Sequence, residues 1–196
     1  MRPSTIKPTI VKLGETKVSD FTDQLAARTS TPGGGAAAAL TAAQACALIA
    51  MVANFTDACD GIKDRAVASQ ATLIDLGDKD ATAFNSVMAA YKGKGDLESA
   101  LAAAATVPSE LIHISAKMTG DLEYLEEHGN KNLITDVGIA ALLIHASMRA
   151  SVLNIRVNTK AMKSEPDEII IEALSLAEHI APSMLQLAER TQAALV

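Results

Sequence analysis

The chain has no tryptophan, and only 3% of its residues are aromatic, so side chains on which nucleobases could stack are scarce. Acidic residues outnumber basic ones, and the formal net charge is -6. Because there is no excess of lysine and arginine to neutralise phosphates, this balance argues against nucleic acid as a partner. The negative net charge is still compatible with a small anionic ligand held by a few local cations.

Cysteine and other metal ligands are also sparse. Cys46 and Cys59 do not form a CxxC motif, which favours two reduced thiols over a redox or zinc site. The four histidines are scattered, with no two of them three or four residues apart, so a metal site is not expected. The first ten residues contain no sustained apolar segment of the kind found in secretory signals. We expect a cytoplasmic protein that needs no metal.

No segment alternates apolar and polar residues as a β-strand would, whereas apolar residues recur at intervals of three and four. We expect an all-α fold, a single-domain bundle of long helices over residues 1–196, in which residues 1–15 form an irregular N-terminal arm. Helices are predicted over 18–27, from 36 to between 57 and 61, over 62–91, from the Gly/Lys turn at 92–95 to 129, over 137–161, and from 165 onwards. Pro108 and Pro182 should kink two of them.

Short polar residues precede three of the predicted helices and are expected to cap them. The candidates are Ser19 or Asp20, Thr135 or Asp136, and Ser164 with Asp167, which form a capping-box pattern. At Asp136, a capping role accounts for the carboxylate without a catalytic function.

The stretch from Ser30 to Phe55 dominates the sequence. Gly33, Gly34 and Gly35 follow a proline and precede a segment in which half of the residues are alanine. The glycines allow positive φ angles and predict a turn that opens a helix at position 36. That helix has no polar face, so it belongs at the centre of a bundle or in a membrane, and the aspartates that follow it favour the bundle. Its first N–H groups could bind an anion or a carbonyl oxygen, or the glycines could serve only as a tight turn.

One carboxylate interrupts the apolar face of the helix predicted over 62–91. Asp80 shares the face formed by apolar positions 73, 76, 84, 87 and 91, whereas Asp78 is expected to point the opposite way. A carboxylate that faces a core costs stability unless it is paired or hydrogen-bonded. Two explanations stay open: a structural salt bridge, for example to Arg149, or a general acid or base with a shifted pKa in a pocket.

A line of polar residues runs along the helix predicted over 137–161 and includes His145, Arg149, Arg156 and Lys160. Its cations could hold a carboxylate group of a ligand. A solvated or dimer-facing basic stripe explains the same pattern.

Five segments, in this order, cover almost the whole chain: T-P-G-G-G-A-A-A-A-L, M-V-A-N-F-T, D-K-D-A-T-A-F-N-S-V-M-A-A-Y, G-N-K-N-L-I-T-D-V-G-I-A-A-L-L and L-N-I-R-V-N. Together they resemble the cyclodeaminase/cyclohydrolase family of folate enzymes. The P-G-G-G and N-x-N-x-x-[ST]-D blocks are the more specific parts of this resemblance.

The resemblance implies an all-helical homodimer that needs no metal or other cofactor and acts on the one-carbon unit between N5 and N10 of tetrahydrofolate. It implies that Asp80 is the catalytic general acid and base, the same residue that the helical spacing singles out. It also implies a role in substrate binding for the residues at the other motif positions, which are Gly33, Gly34, Gly35, Asn54, Asn132, Asp136, Asn154 and Asn158.

The favoured activity is that of a formiminotetrahydrofolate cyclodeaminase, which gives 5,10-methenyltetrahydrofolate and ammonia. A methenyltetrahydrofolate cyclohydrolase is the alternative, because both reactions share the methenyl compound. The connector after Tyr91 is shorter than in the family, and a lysine-rich segment of the family is missing, so Arg149, Arg156 or Lys160 is a candidate to hold the glutamate tail of the substrate. A non-catalytic ligand-binding or scaffold dimer is the third possibility.

Overall fold

A computed structural model describes residues 12–195; the predicted N-terminal arm lies outside the described residues at positions 1–11. Helices account for nearly all of the described chain, which contains no β-strand. The α-helices are α1 Val18–Ala26, α2 Gly34–Asn54, α3 Asp60–Tyr91, α4 Leu97–Lys117, α5 Thr119–His128, α6 Ile134–Thr159 and α7 Glu168–Ala193. The all-α prediction is confirmed.

Helix α2 lies at the centre of the bundle, as its apolar composition predicts. It packs along its length against α3 and α6, and residues on several of its sides, such as Ala43, Cys46 and Val52, are at most 2% exposed. Its many alanines allow the neighbouring backbones to approach closely, which gives the interior its packing density. The N-terminus of α2 is thereby held between α3 and α6.

Two segments, α2 and Lys131–Thr159, are long and apolar enough to cross a membrane by length and composition alone. Of the apolar 18-residue stretch in α2, 61% is buried within the protein. Of the corresponding stretch in Lys131–Thr159, only 39% is buried. Helix α6 therefore keeps an apolar surface that the described part of the chain does not cover.

The helix predicted between the Gly/Lys turn and position 129 is two helices, because α4 ends at Lys117 and α5 begins at Thr119. Pro108 lies inside α4, and the break occurs at Met118. Met118 and Leu122 are both buried, so the apolar face continues across the break. Sequence spacing alone therefore could not reveal the interruption.

The capping-box prediction ahead of α7 is wrong. Helix α7 begins at Glu168, and its N-cap residue Asp167 makes no side-chain capping bond. Ser164 instead bonds to Glu98 in the first turn of α4, through its hydroxyl at 2.7 Å and its backbone N–H at 2.8 Å. These hydrogen bonds, with a further one from the N–H of Lys163, hold the pKa of Glu98 below its usual value. Glu98 thus fixes the connector between α6 and α7.

The other two predicted caps also differ from the structure. The N-cap residue of α1 is Lys17, and that of α6 is Leu133; neither makes a side-chain capping bond. Asp136 lies within the first turn of α6, where its charge complements the positive end of the helix dipole.

Residues 13–15, predicted as part of an irregular arm, form a short 3-10 helix that lies on α3. The backbone N–H of Leu13 donates to Asp78 Oδ1 at 2.9 Å. Asp78 is half-buried beneath this segment, which explains a carboxylate on that side of α3.

The turn between α3 and α4 is confirmed. Gly93 and Gly95 adopt positive φ angles of 78° and 97°, a conformation that side chains with a Cβ rarely accept.

Candidate active site

The three consecutive glycines are used differently from the sequence prediction. Helix α2 begins at Gly34, two residues before the predicted start, and Gly33 is its N-cap residue with φ -136° and ψ -158°. The three glycines lead into the helix as predicted, but none of them uses the positive φ angles that glycine allows. The requirement for glycine lies at Gly35, where a Cβ would overlap the carboxyl group of Asp80. The absence of a side chain there lets α3 place a carboxylate against the first turn of α2.

Asp80 is half-buried at this junction and forms no salt bridge with any residue between positions 12 and 195. Burial raises the pKa of its carboxyl group, and interaction with the backbone N–H of Ala36 partly lowers it again. The proposed ion pair with Arg149 is not present, since Arg149 is exposed on α6. Of the two explanations left open by the sequence, the salt bridge is therefore excluded within the described chain.

A small pocket beside Asp80 is built from four helices and has a volume of about 10 Å³. Most of its wall is apolar, but three polar side chains reach it: Asp80, Ser151 and Asn154. The complete lining is Gly35 and Ala39 of α2, Leu76 and Asp80 of α3, Val107, Pro108 and Leu111 of α4, and Ser151 and Asn154 of α6. This volume matches one water molecule, so a larger ligand would have to lie at its mouth.

Asn154 extends from α6 towards the beginning of α2. A Cβ built on Gly34 would lie 4.0 Å from Asn154 Oδ1, which places the amide beside the exposed first residue of α2. Asn158, one turn later, donates through Nδ2 to the backbone oxygen of Asn154 at 2.9 Å and to that of Ala104 at 3.4 Å. Asn158 therefore links α6 to α4 and does not line the pocket.

Asn54 and Asn132 lie at the opposite end of α2. Asn54 is its last residue and is exposed, about 30 Å from Gly35 for a helix of this length. Asn132 is exposed in the 3-10 helix Lys131–Leu133, which Asn130 holds against the end of α2 through a bond to the backbone oxygen of Phe55 at 3.2 Å.

Asp136 follows that 3-10 helix and is half-buried in the first turn of α6. The described chain therefore brings Asp80, Gly34, Gly35 and Asn154 together. It does not bring Asn54, Asn132, Asp136 or Arg149 to the same pocket.

Ser151 was missed by the sequence analysis. It lies one turn before Asn154 on the same side of α6 and is completely buried. A small polar residue on the buried side of an otherwise apolar helix was the available signal.

A larger open cavity of about 420 Å³ lies between the start of α4 and the α6–α7 connector. Its lining contains no residue that the sequence analysis assigned to a site. Of its two carboxylates, Glu98 is bonded to the connector and Asp96 caps α4 by accepting from the N–H of Ser99. Within the described chain, no group of three histidine, cysteine, aspartate or glutamate side chains is placed to hold a metal ion. The Asp80 pocket is therefore the best candidate for a reaction centre.

Several known proteins resemble this chain in sequence and in fold. The family model described as formiminotransferase-cyclodeaminase matches residues 17–175 of the chain. A crystal structure of formiminotetrahydrofolate cyclodeaminase from Thermotoga maritima superposes with a TM-score of 0.86 and 34% sequence identity, covering 93% of this chain and 98% of that one.

Two curated relatives carry two different activities in their names. A methenyltetrahydrofolate cyclohydrolase of Methylorubrum extorquens is 29% identical over 197 residues, covering 85% of this chain and 95% of that protein. A formimidoyltransferase-cyclodeaminase of Mus musculus is 30% identical over 203 residues, covering 93% of this chain. The match spans only 36% of the mouse protein, so the likeness concerns one part of it.

Proposed function

The chain belongs to the formiminotransferase-cyclodeaminase family, and from this premise we propose that it is a folate one-carbon enzyme, a formiminotetrahydrofolate cyclodeaminase. The observation that carries the proposal is the carboxyl group of Asp80, held without a cationic partner at the N-terminus of α2. Because burial raises its pKa, this carboxyl group exchanges a proton closer to neutral pH than an exposed aspartate would.

In the proposed deamination, the formimino group carries a proton on its nitrogen, and N10 of the folate attacks its carbon while the carboxylate of Asp80 accepts the N10 proton. The same proton then passes to the nitrogen of the former formimino group, which leaves as ammonia as its bond to carbon breaks. A positioned acid and base of this kind contributes on the order of 10²–10⁴ in rate. The pocket is too small for the pterin ring, so the folate would lie across its mouth beside Gly34 and Asn154.

A cyclohydrolase is the second candidate, favoured by the likeness to the Methylorubrum extorquens protein. In that reaction a water molecule attacks the methenyl carbon while Asp80 accepts its proton. The bond from that carbon to N5 then breaks as Asp80 returns its proton to N5, and the remaining hydroxyl proton leaves to solvent, so that a formyl group is left on N10. One carboxyl group in one pocket can serve both reactions.

The test is to mix purified protein separately with 5-formiminotetrahydrofolate and with 5,10-methenyltetrahydrofolate and to follow the methenyl absorbance. Faster appearance of the signal in the first mixture than without protein is expected and identifies the deaminase. Faster loss in the second identifies the hydrolase. If neither rate exceeds that of the matching Asp80→Asn sample, the enzyme proposal fails and a non-catalytic binding dimer is the better account.

We propose that the reaction needs no metal or other cofactor, because proton transfer by Asp80 is sufficient for both mechanisms. Activity should then survive dialysis against a chelator, and a loss restored by a divalent cation would contradict this.

We also assign the protein to the cytoplasm, where folate one-carbon metabolism supplies its substrate; recovery in the membrane fraction of disrupted cells would contradict that assignment.

The homodimer is proposed from the outer face of α6, which we define as Ile139, Leu142, Ala146, Arg149, Leu153 and Val157. Leu153 and Val157 are 69% and 65% exposed, which is unusual for large apolar side chains that follow one another along a helix. Arg149 lies in the middle of this face, where a bilayer would strongly disfavour its charge. A second copy of the chain is therefore the occupant that fits the outer face.

Such a dimer also accounts for the motif residues that one protomer leaves far from Asp80. Asn54 and Asn132 lie about 30 Å from Gly35, at the other end of α2. If two protomers pack with their α6 helices antiparallel, the distal residues of one would approach the Asp80 pocket of the other. Asn54, Asn132 and Asp136 then remain candidates for substrate binding.

A further inference from the structure

The hydroxyl group of Ser151 is buried without a hydrogen-bond partner. Ser151 has no exposed surface, and its Oγ bonds to no other atom of residues 12–195. Serines inside helices commonly bond back to the carbonyl oxygen one turn earlier, as Ser109 does to Ala105 at 2.9 Å. Ser151 does not do so, and an unpaired buried hydroxyl destabilises the fold, which favours a bonding partner in the space beside it.

The surroundings of Ser151 supply a place for that partner. Its side chain lines the same pocket as Asp80, and the volume of about 10 Å³ corresponds to a single water molecule. Ser151, Asp80 and Asn154 are the polar residues of its lining, and polar partners of this kind are what a buried water requires. Among the described lining residues, Asp80 is the only titratable one, and no neighbouring charge contributes to its pKa.

We propose that the Ser151 hydroxyl and the Asp80 carboxylate together hold one water molecule in this pocket. Through it, Ser151 acts as a positioning residue for proton transfer at Asp80. The hydroxyl donates to the water oxygen, and the water donates to the carboxylate. The catalytic part of this proposal rests on the proposed function, whereas the water site itself does not.

The bound water gives Asp80 a fixed hydrogen-bond donor in addition to the N–H of Ala36. It stabilises the ionised carboxylate and orients the oxygen that accepts a proton from the substrate. In the hydrolase reaction, the same position would supply the attacking water, whose proton goes to Asp80 as its oxygen bonds to the methenyl carbon.

The matched control is Ser115 of α4, which is also completely buried and has an unpaired hydroxyl among the described residues, but does not line the pocket. Ser151→Ala and Ser115→Ala should be compared with the wild type by crystallography at high resolution and by NMR titration of ¹³C-labelled aspartate carboxyl groups. Neither measurement depends on folate chemistry.

In the wild type, we expect one ordered water within hydrogen-bond distance of Ser151 Oγ and an Asp80 carboxylate oxygen. Ser151→Ala should remove or displace it and raise the pKa of Asp80 by up to about one unit, because the anion loses a donor. The acid limb of the pH–rate profile should move in the same direction, and kcat should fall about three- to tenfold. Ser115→Ala should change none of these.

An absent water in the wild type, or an Asp80 titration that is the same in Ser151→Ala and Ser115→Ala, would overturn the proposal. If the wild type converts neither folate compound but the water and the titration shift are seen, the proposed function fails while the water site stands. A reduced stability of Ser151→Ala with an unchanged Asp80 titration would show a purely structural hydroxyl.

Discussion

At the scale of the residue, Asp80 is half-buried, which disfavours its charged form. Its carboxyl group nevertheless lies where a ligand can reach it. Gly35 makes room for the carboxyl group, and the N–H of Ala36 offsets part of the desolvation. No cation of the described chain neutralises it. A buried carboxylate in this setting destabilises the fold, which is typical of groups retained for chemistry.

Replacing Asp80 with asparagine should lower kcat by a factor on the order of 10²–10⁴ without lowering stability at neutral pH. The folded-state pKa lies above the unfolded value, so the folded protein binds this proton more tightly. The stability of the wild type relative to Asp80→Asn is therefore greatest below the unfolded pKa and falls as the pH rises through the folded pKa. Urea unfolding of both proteins between about pH 4 and pH 8, with steady-state rates, measures this.

A structural role of the Asp80 carboxylate would give the opposite result for this variant. If Asp80→Asn keeps its rate but loses stability at neutral pH, the carboxylate is a structural group. The Asp78→Asn variant is the natural comparison, because Asp78 bonds to the N–H of Leu13 at 2.9 Å and does not line the pocket.

At the scale of the element, the site depends on how close α3 comes to the first turn of α2. The approach is set at one residue, Gly35, since its neighbour Gly34 is exposed and has space around it. Helix α6 contributes to the pocket through its inner side, where Ser151 and Asn154 lie, while Leu153 faces outward. One helix thus serves both the pocket and the proposed dimer contact.

Gly35→Ala should strongly reduce activity and destabilise the protein, because its Cβ would displace either the Asp80 carboxyl group or the first turn of α2. Gly34→Ala is the matched control: its Cβ would meet Asn154 Oδ1 at 4.0 Å, an ordinary contact. Alanine is favoured over glycine in helices by up to about 1 kcal/mol, so Gly34→Ala should be neutral or stabilising. Thermal unfolding of both variants decides this, and equal losses of stability would contradict the role assigned to Gly35.

At the scale of the whole molecule, the exposed outer face of α6 and the distance between the two groups of motif residues both favour a dimer.

Leu153→Glu should convert the dimer to a monomer, as measured by analytical ultracentrifugation, because it places a charge on the apolar outer face. Val18→Glu, at an exposed position of α1, should leave the assembly unchanged. A wild-type monomer at micromolar concentration would contradict the proposal.

If the site is shared between protomers, mixing two inactive proteins should restore activity. Asp80→Asn and Asn54→Ala would each lack one part of the same site, and a mixed dimer would contain one site with neither substitution. Rates that stay at the level of the separate variants after subunit exchange would confine the site to one protomer.

The sequence by itself determined the features that depend on local periodicity. Apolar residues at helical spacing predicted the all-α class, the central position of α2 and the core-facing side of Asp80, because the orientation of a side chain along a helix follows from its position in the chain. Glycines predicted the turn after α3, since Gly93 and Gly95 need positive φ angles.

Only the tertiary structure decided which residues meet across helices. It placed Gly35 against Asp80, bound Ser164 to Glu98 and left the hydroxyl of Ser151 unpaired in the pocket. It also separated Asn54 and Asn132 from that pocket by the length of α2. Such contacts join segments far apart in the chain, and their distances depend on how whole helices pack, which no local spacing encodes.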